Sequence, residues 1–285
     1  MELLEGNNLS MVFGGLSALN SVDIKINEGE VLSIIGPNGA GKTTLFNLLT
    51  GIYSPTEGKI CFRKKEIKNL KPYEITRLGI ARTFQNIRLF KEMSVLDNVI
   101  IGQHCRTKAG IFGAIFRTPA VKREESFVRD KVMDVLEFVG LDDVYKEKAK
   151  NLPYGKQRRL EMARALATDP ELVLLDEPAA GMNHQETNDL IRLIEKLNDT
   201  GKTVLLIEHD MKLVMDISRR IMVLDYGKKI ADGSPDEVKN DEKVIKAYLG
   251  DDFRKGNGEA DEIKKVKEAR KTNKEVKQAK EAYVC

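Results

Sequence analysis

Short apolar runs alternate with helical patterns along most of this chain of 285 residues. Four runs are rich in Val, Ile and Leu and have the length of strands, and the last three are of the type that is buried on both faces of a sheet. They are residues 31–35, 172–175, 204–207 and 221–224. A predicted helix at residues 186–199 separates the second run from the third, and strand, helix and strand in that order predict parallel pairing. The pattern therefore predicts an α/β core.

The N-terminal part of the chain shows a different strand pattern. Residues 22–26 alternate apolar with charged side chains, as expected for a strand with one face in water. Residues 27–29 form a predicted turn into the strand at 31–35, and residues 59–62 predict a further short strand. We expect these first strands to be partly antiparallel, so the sheet is predicted to be mixed.

Helix start and stop signals mark the ends of several elements. Pro72 begins a predicted helix that ends at Gly79, and residues 80–84 return to the sheet. Near the end of the chain, residues 234–237 read Ser-Pro-Asp-Glu, which is a capping box with proline at the first helical position. The last apolar helix is predicted to end near Leu249.

Helical patterns dominate from residue 94 to about residue 165, which we interpret as a helical insertion in a domain spanning residues 1–250. Ser94 is the predicted N-cap of its first helix. Within it, residues 109–116 are apolar and glycine-rich but too short to cross a membrane. They either pack inside the insertion or form a docking surface for a partner. Five apolar residues fall at helical spacing: Val128, Val132, Val135, Leu136 and Val139.

Composition and charge limit the classes of protein to which this chain can belong. Hydrophobic residues make up 41% of the chain, which permits a sizeable core, and the net charge of only +3 demands no nucleic-acid partner. Cys61, Cys105 and Cys285 lack ligand-like spacing and indicate a reducing compartment. No apolar run approaches the length of about 18 residues needed to span a bilayer. We therefore expect a cytoplasmic protein or one peripheral to a membrane.

The segment from residue 251 to residue 285 differs from the rest of the chain. It consists mainly of charged residues with few large aliphatic ones, so it is predicted to bury little. Its two interpretations are a solvated charged tail and an electrostatic contact with RNA or anionic lipid.

A phosphate-binding loop follows the strand at residues 31–35. Residues 36–44 fit the pattern G-x-x-x-x-G-K-[ST] and lead into a predicted helix, so converging N–H groups and a helix N-terminus would surround a phosphate. Lys42 is positioned by this pattern to reach the β and γ phosphates, and Thr43 offers a hydroxyl to Mg²⁺. The predicted phosphate-binding residues are Gly36, Pro37, Asn38, Gly39, Ala40, Gly41, Lys42, Thr43 and Thr44.

Polar residues at the ends of other predicted strands complete a nucleotide-hydrolysing set. Asp176 and Glu177 follow the buried run at 172–175, where Asp176 would hold Mg²⁺ and Glu177 would polarise or deprotonate the attacking water. Gln85 follows residues 80–84 and either ligates the metal, orients the water or meets solvent. His209 follows the run at 204–207 and either contacts the γ-phosphate or is structural.

A second predicted anion site lies at the head of a basic helix. Residues 151–167 place a loop directly before that helix, and a helix N-terminus favours anions. Since one nucleotide already has a phosphate loop, we infer that this second site serves a nucleotide held by another copy of the chain.

Together, these motifs resemble the ATP-binding cassette ATPases over about residues 1–250. The resemblance implies an α/β fold: a P-loop NTPase core with a mixed sheet, an N-terminal antiparallel β subdomain and an inserted helical subdomain. It implies ATP and Mg²⁺ as cofactors, Phe13 as the aromatic that stacks on adenine, and Gln85 as a link between metal and membrane partner. The signature loop that acts across a head-to-tail dimer would be Leu152, Pro153, Tyr154, Gly155 and Lys156.

Finer details resemble the ATPase subunit of branched-chain amino-acid importers. These are residues 81–90, the long insertion and residues 177–183, which end at Asn183 where an aspartate is common. Pro153 and Tyr154 depart from the usual Leu-Ser-Gly-Gly-Gln signature and remove a serine hydroxyl. The resemblance implies a subunit at the cytoplasmic face of the membrane that dimerises with itself or a paralogue. It would bind a transmembrane permease and act indirectly with a substrate-binding protein.

Other functions remain open at the level of sequence. The transported substrate could instead be urea, another amino acid or lipopolysaccharide. A protein of a different class, a soluble cassette acting on ribosomes or DNA, is suggested by the basic residues of the tail. We expect no nucleic-acid partner, because such proteins usually carry two cassettes or a long coiled-coil insertion.

Overall fold

The computed structural model describes residues 1–103 and 119–249. The apolar segment at 109–116 and the charged tail from residue 251 lie outside the described residues, so the predictions for both stand as made.

Ten strands and nine α-helices make up the described residues. The strands are β1 (Glu2–Phe13), β2 (Leu16–Asn27), β3 (Val31–Ile35), β4 (Glu57–Phe62), β5 (Lys65–Glu66), β6 (Ile80–Arg82), β7 (Leu172–Asp176), β8 (Thr203–Ile207), β9 (Arg220–Asp225) and β10 (Lys228–Gly233). The helices are α1 (Lys42–Leu49), α2 (Pro72–Leu78), α3 (Val95–Gln103), α4 (Pro119–Val139), α5 (Tyr154–Leu166), α6 (His184–Asp199), α7 (Met211–Ile217), α8 (Pro235–Asn240) and α9 (Glu242–Leu249). Two short 3₁₀ helices span Asp142–Val144 and Ala149–Asn151.

A six-stranded mixed sheet forms the centre of the fold. Its strand order is β10-β9-β3-β8-β7-β6, in which β9 to β6 run parallel and β10 pairs antiparallel with β9. The predicted parallel pairing of β7 with β8 is confirmed, with Asp176 opposite Ile207. The carboxyl ends of five strands therefore meet at one edge of the sheet.

The N-terminal strands form a second, antiparallel sheet with the order β2-β1-β4-β5. The alternation predicted at residues 22–26 is confirmed, since Val22, Ile24 and Ile26 are fully buried while Asp23 and Lys25 are exposed. This sheet is the predicted antiparallel β subdomain.

Side chains pack on both faces of the six-stranded sheet, which explains why its strands are continuously apolar. Along β8, Leu205 and Ile207 belong to the cluster shared with the antiparallel sheet and α1. Val204 and Leu206 belong to the opposite cluster, which also contains residues of α3 to α6. Every residue of β8 is buried.

The strand predicted at residues 80–84 is shorter in the structure and ends at Arg82. Thr83 still donates its N–H to the carbonyl of Leu174. The carbonyls of Phe84 and Gln85, however, accept hydrogen bonds from the side chain of Arg158 on α5. The chain therefore leaves the sheet here and turns toward the helices.

Helix ends follow the predicted capping residues. The Ser94 hydroxyl accepts the N–H of Asp97 before α3, and Ser234 forms the predicted capping box with Glu237 at α8. Gly79 ends α2 in a left-handed conformation. The predicted limits of the domain and of the insertion stay predictions.

None of the helices within residues 1–103 and 119–249 has both the length and the apolar composition of a membrane span.

We predict that Leu205→Ala lowers the free energy of unfolding by about 2–5 kcal/mol, because it leaves a cavity in the central strand β8. Leu205 is fully buried, whereas Leu16 on β2 is 73% exposed. Leu16→Ala is the matched control and should change stability by less than about 0.5 kcal/mol. Urea denaturation followed by circular dichroism measures both. Equal effects of the two substitutions would contradict the described packing of β8.

Candidate nucleotide site

The phosphate loop connects β3 to α1 through backbone conformations that require glycine. Gly36 has φ 148° and Gly41 has φ 100°. A Cβ atom at Gly36 would overlap the carbonyl oxygen of Leu224, and one at Gly41 would lie 2.6 Å from the carbonyl oxygen of Ala18. The loop can therefore curl only because both positions lack a side chain.

Lys42 is the first residue of α1 and is only 7% exposed. Its Nζ donates hydrogen bonds to the carbonyl oxygens of Gly36 (2.6 Å) and Pro37 (3.0 Å). Burial lowers the pKa of Lys42, while the charges of Glu177 and Asp176 act in the opposite direction. The ammonium group is thus held inside the curl of the loop.

The other loop residues differ in their exposure. Asn38, Gly39 and Thr43 are exposed, Pro37 and Thr44 are half-buried, and Ala40 is buried. The Thr43 side chain at the first turn of α1 is therefore accessible to a ligand.

Asp176 and Glu177 lie at the end of β7 in different environments. Asp176 is 3% exposed, and its Oδ2 accepts a hydrogen bond from Arg82 at 2.8 Å. Glu177 adopts φ 47° and donates its N–H to the carbonyl of Ile207 on β8. The two carboxylates therefore have different surroundings, although they are adjacent in sequence.

The structure brings Gln85, Glu177 and His209 together. Nε2 of Gln85 donates to Oε2 of Glu177 at 2.8 Å, and Nε2 of His209 lies 2.8 Å from Oε1 of the same carboxylate. These residues are 92 and 32 positions from Glu177 in sequence. Both carboxylate oxygens are thus in contact with residues that follow neighbouring strands of the sheet.

Glu208 is a further carboxylate at this edge that the sequence analysis did not identify. Its side chain accepts the backbone N–H groups of Ala179 (2.7 Å) and His209 (3.1 Å). Burial raises the pKa of Glu208, and these backbone hydrogen bonds lower it. Its contacts hold the loop after Glu177 against the end of β8. The sequence does contain one signal for Glu208, since this residue lies between the buried run at 204–207 and His209.

The residues at this edge fit Mg²⁺ bound together with a nucleotide. Thr43 supplies a hydroxyl, Asp176 a carboxylate and Gln85 an amide, which are the oxygen ligands that Mg²⁺ prefers. Among the described residues, no group of three or more His, Cys, Asp or Glu side chains could hold a metal. Mg²⁺ commonly completes its coordination with substrate phosphates and water, so one carboxylate beside a phosphate loop is a suitable donor set.

Phe13 lies at the end of β1 and packs against a second aromatic residue. Its ring is edge-on to that of Tyr53, with centroids 5.2 Å apart and an interplanar angle of 72°. Phe13 is 39% exposed, so part of its surface is available for stacking. Tyr53 was not identified from the sequence.

Residues 152–156 lie at the start of α5. Leu152 is buried, and a Cβ at Gly155 would lie 2.6 Å from a carboxylate oxygen of Glu186. Nζ of Lys156 contacts Asp143 at 3.1 Å. Within the described part of the chain, no hydrogen bond or ion pair joins residues 152–156 to residues 36–44.

The hydroxyl group of Tyr154 contacts the loop after Glu177 directly and the segment at residues 84–85 through Arg158. It donates to the carbonyl of Ala180 at 2.9 Å and accepts a hydrogen bond from Nη2 of Arg158 at 2.9 Å. The same guanidinium donates to the carbonyls of Phe84 (3.1 Å) and Gln85 (2.7 Å). Arg158 was missed by the sequence analysis, because an arginine in a basic helix gives no sign that its partners are distant carbonyls.

Two family profiles match the chain. Residues 19–180 match the family described as ABC transporter. Residues 228–254 match a family described as branched-chain amino acid ATP-binding cassette transporter.

Curated relatives match almost over their full length. The high-affinity branched-chain amino acid transport ATP-binding protein LivG of Salmonella typhimurium (strain LT2) is 50% identical over 250 residues, covering 87% of this chain and 98% of LivG. The corresponding protein BraF of Pseudomonas aeruginosa is 49% identical with the same coverage.

Solved structures resemble the fold of the chain. The ADP conformation of MJ1267, an ATP-binding cassette of an ABC transporter, is 37% identical, with a TM-score of 0.77 and coverage of 88% of this chain and 99% of that one. The dimeric structure of MJ0796, a bacterial ABC transporter cassette, is 26% identical, with a TM-score of 0.69 and coverage of 82% and 99%. The motifs, the fold and these matches agree: the chain belongs to the ABC transporter family and is an ATP-binding cassette ATPase.

Proposed function

We propose that this chain is the ATP-hydrolysing subunit of an importer for branched-chain amino acids and that it powers a separate membrane permease. The observation that carries the substrate class is the identity of about 50% to LivG over 98% of that protein's length. The match of residues 228–254 to a family described by branched-chain amino acids supports it independently of the catalytic motifs.

ATP binds, in this proposal, with its phosphates in the loop after β3 and its adenine against Phe13. Thr43, Asp176 and Gln85 would hold Mg²⁺, which neutralises charge on the β and γ phosphates when bound. Lys42 contributes a positive charge next to the same phosphates. Its ammonium would exchange carbonyl contacts within the loop for phosphate oxygens. The phosphate contacts come from Gly36, Pro37, Asn38, Gly39, Ala40, Gly41, Lys42, Thr43 and Thr44.

Glu177 accepts the proton of the attacking water in the proposed hydrolysis. Its two carboxylate oxygens contact Gln85 and His209, so a water molecule at this carboxylate must replace or share one of these contacts. His209 then holds the γ-phosphate side of the site and Gln85 the metal side. Placing three groups around one water molecule lowers the barrier mainly through orientation.

A second subunit completes the site in this proposal. Among the described residues, no hydrogen bond or ion pair joins residues 152–156 to the phosphate loop of their own chain, and one solved neighbour, MJ0796, is dimeric. The loop Leu152, Pro153, Tyr154, Gly155 and Lys156 would therefore cover a nucleotide held by the other subunit, either a copy of this chain or a paralogue. The assembly would lie at the cytoplasmic face of the membrane, bound to the permease, and would act indirectly with a substrate-binding protein.

We predict that Glu177→Gln keeps ATP binding but lowers ATP hydrolysis by about 10²- to 10⁴-fold, because the amide cannot accept the proton of the attacking water. The same substitution at the exposed Glu195 of α6 is the matched control and should leave turnover unchanged. Phosphate release measures turnover, and titration with a fluorescent ATP analogue measures binding. Full turnover by Glu177→Gln would refute its role.

Lys42→Ala should weaken ATP binding by about 10- to 100-fold, since hydrogen bonds to charged groups contribute about 1.5–3 kcal/mol. Lys239→Ala, on the exposed surface of α8, is the control and should bind like the wild type. Both affinities come from the same fluorescence titration. An unchanged affinity of Lys42→Ala would contradict the phosphate-loop assignment.

Deleting the gene in the source organism should abolish high-affinity uptake of radiolabelled leucine, isoleucine and valine. The wild-type gene should restore this uptake, and the Glu177→Gln gene should not, because transport depends on hydrolysis. Membrane permease subunits should co-purify with the chain. Loss of urea or other amino-acid uptake, with normal branched-chain uptake, would assign the subunit to another substrate.

A further inference from the structure

We propose that Arg82 is a positioning residue that holds together the two elements carrying the magnesium ligands, α1 and β7. This inference rests on the proposed binding of Mg²⁺ with ATP by Thr43 and Asp176. Arg82 itself would touch neither the nucleotide nor the metal.

The guanidinium group of Arg82 bridges the two elements through its two terminal nitrogens. Nη2 donates to Oδ2 of Asp176 at 2.8 Å, and Nη1 donates to Oδ1 of Asn47 at 2.7 Å and to Oγ1 of Thr50 at 3.2 Å. Asn47 lies on α1, Thr50 is the C-cap residue of that helix, and Asp176 is the last residue of β7. A single side chain of β6 therefore connects this strand to both α1 and β7.

The position of these contacts on α1 links them to the predicted metal ligand. Thr43 and Asn47 are four residues apart on the helix, so their side chains lie on the same face, one turn from each other. Fixing Asn47 against the end of β7 therefore also fixes the distance between the start of α1 and Asp176. That distance decides whether a hydroxyl and a carboxylate can hold one ion.

The Arg82–Asp176 pair is buried, and a buried ion pair is weak evidence for a contribution to stability. The side chains of Arg82 and Asp176 are only 7% and 4% exposed. The rings of Phe46 and Phe84 each lie 5.4 Å from the guanidinium carbon, and Nε of Arg82 is buried with no hydrogen-bond partner. Buried ion pairs often contribute no more to stability than apolar residues of the same size. The pair is better explained by its role in fixing the position of α1 relative to β7.

Arg82 leaves part of the Asp176 carboxylate available for a metal. Its contact is to Oδ2, and among the described residues no hydrogen bond engages Oδ1. Hydrogen bonds to a ligating carboxylate fix its orientation, and their removal typically costs 10- to 100-fold in metal affinity. A purely electrostatic effect has the opposite sign, because a positive charge next to Asp176 repels Mg²⁺. A loss of Mg²⁺ affinity when the contact is removed therefore indicates positioning, whereas a gain indicates the effect of charge alone.

The test measures Mg²⁺ affinity in the full-length chain with the fluorescent nucleotide MANT-ADP, so hydrolysis plays no part. Arg82→Lys keeps a cation near Asp176 but loses the fork that also reaches Asn47. We expect it to lower the Mg²⁺ affinity of the protein–nucleotide complex by about 10- to 100-fold. Nucleotide affinity in EDTA should equal that of the wild type. Arg77→Lys, the same change on α2, is the matched control and should alter neither value.

Asn47→Ala is the second variant, in case Arg82→Lys does not fold. It leaves the Arg82–Asp176 pair in place and should weaken Mg²⁺ binding in the same direction, because only the longer contact to Thr50 at the end of α1 then connects the helix to Arg82. Unchanged or tighter Mg²⁺ binding by a folded variant would overturn the proposal. Equal losses with Mg²⁺ and with EDTA would also overturn it, since they indicate general damage to the loop. A wild-type chain that binds no nucleotide would instead refute the proposed function.

Discussion

The parallel register of the six-stranded sheet is the constraint on which the site depends. With β3 between β9 and β8, Ile35 lies opposite Val223 and Ile34 opposite Ile207, while Asp176 on β7 also lies opposite Ile207. The loops after β3, β6, β7 and β8 consequently emerge at one edge. Ligands of open α/β sheets bind at this edge, outside the carboxyl ends of the strands. The phosphate loop, Gln85, Glu177 and His209 thus come together through strand order, although they are far apart in sequence.

Side-chain hydrogen bonds to backbone carbonyls connect this edge to the helical part of the molecule. Arg158 on α5 binds the carbonyls of Phe84 and Gln85 together with the hydroxyl of Tyr154, which in turn binds Ala180. The tyrosine that departs from the usual signature therefore has a structural role inside its own chain. Its hydroxyl joins the start of α5 to the loop after Glu177 and also contacts Arg158. A glycine at that position would lack both contacts.

The sequence predicts those parts of the fold in which local pattern and tertiary environment agree. The buried strands, the wet face of β2 and the caps at Ser94 and Ser234 belong to this group. The predictions omitted β1, whose alternation is interrupted by register shifts, and β10, an edge strand without a fully buried residue. Residues 80–84 were predicted as too long a strand, since the carbonyls of Phe84 and Gln85 bind an arginine more than 70 positions away. Arg82 and Arg158 escaped prediction for the same reason: their partners are distant in sequence.

The backbone conformation at Glu177 is unusual and is fixed by contacts of both its N–H and its carboxylate. A non-glycine residue at φ 47° costs free energy, and such conformations persist only where surrounding contacts fix them. Here the N–H of Glu177 binds Ile207, and its carboxylate is held between Gln85 and His209. Asp176, in contrast, is buried beside Arg82. Two adjacent carboxylates thereby acquire different surroundings, as their different proposed roles in Mg²⁺ binding and in proton transfer require.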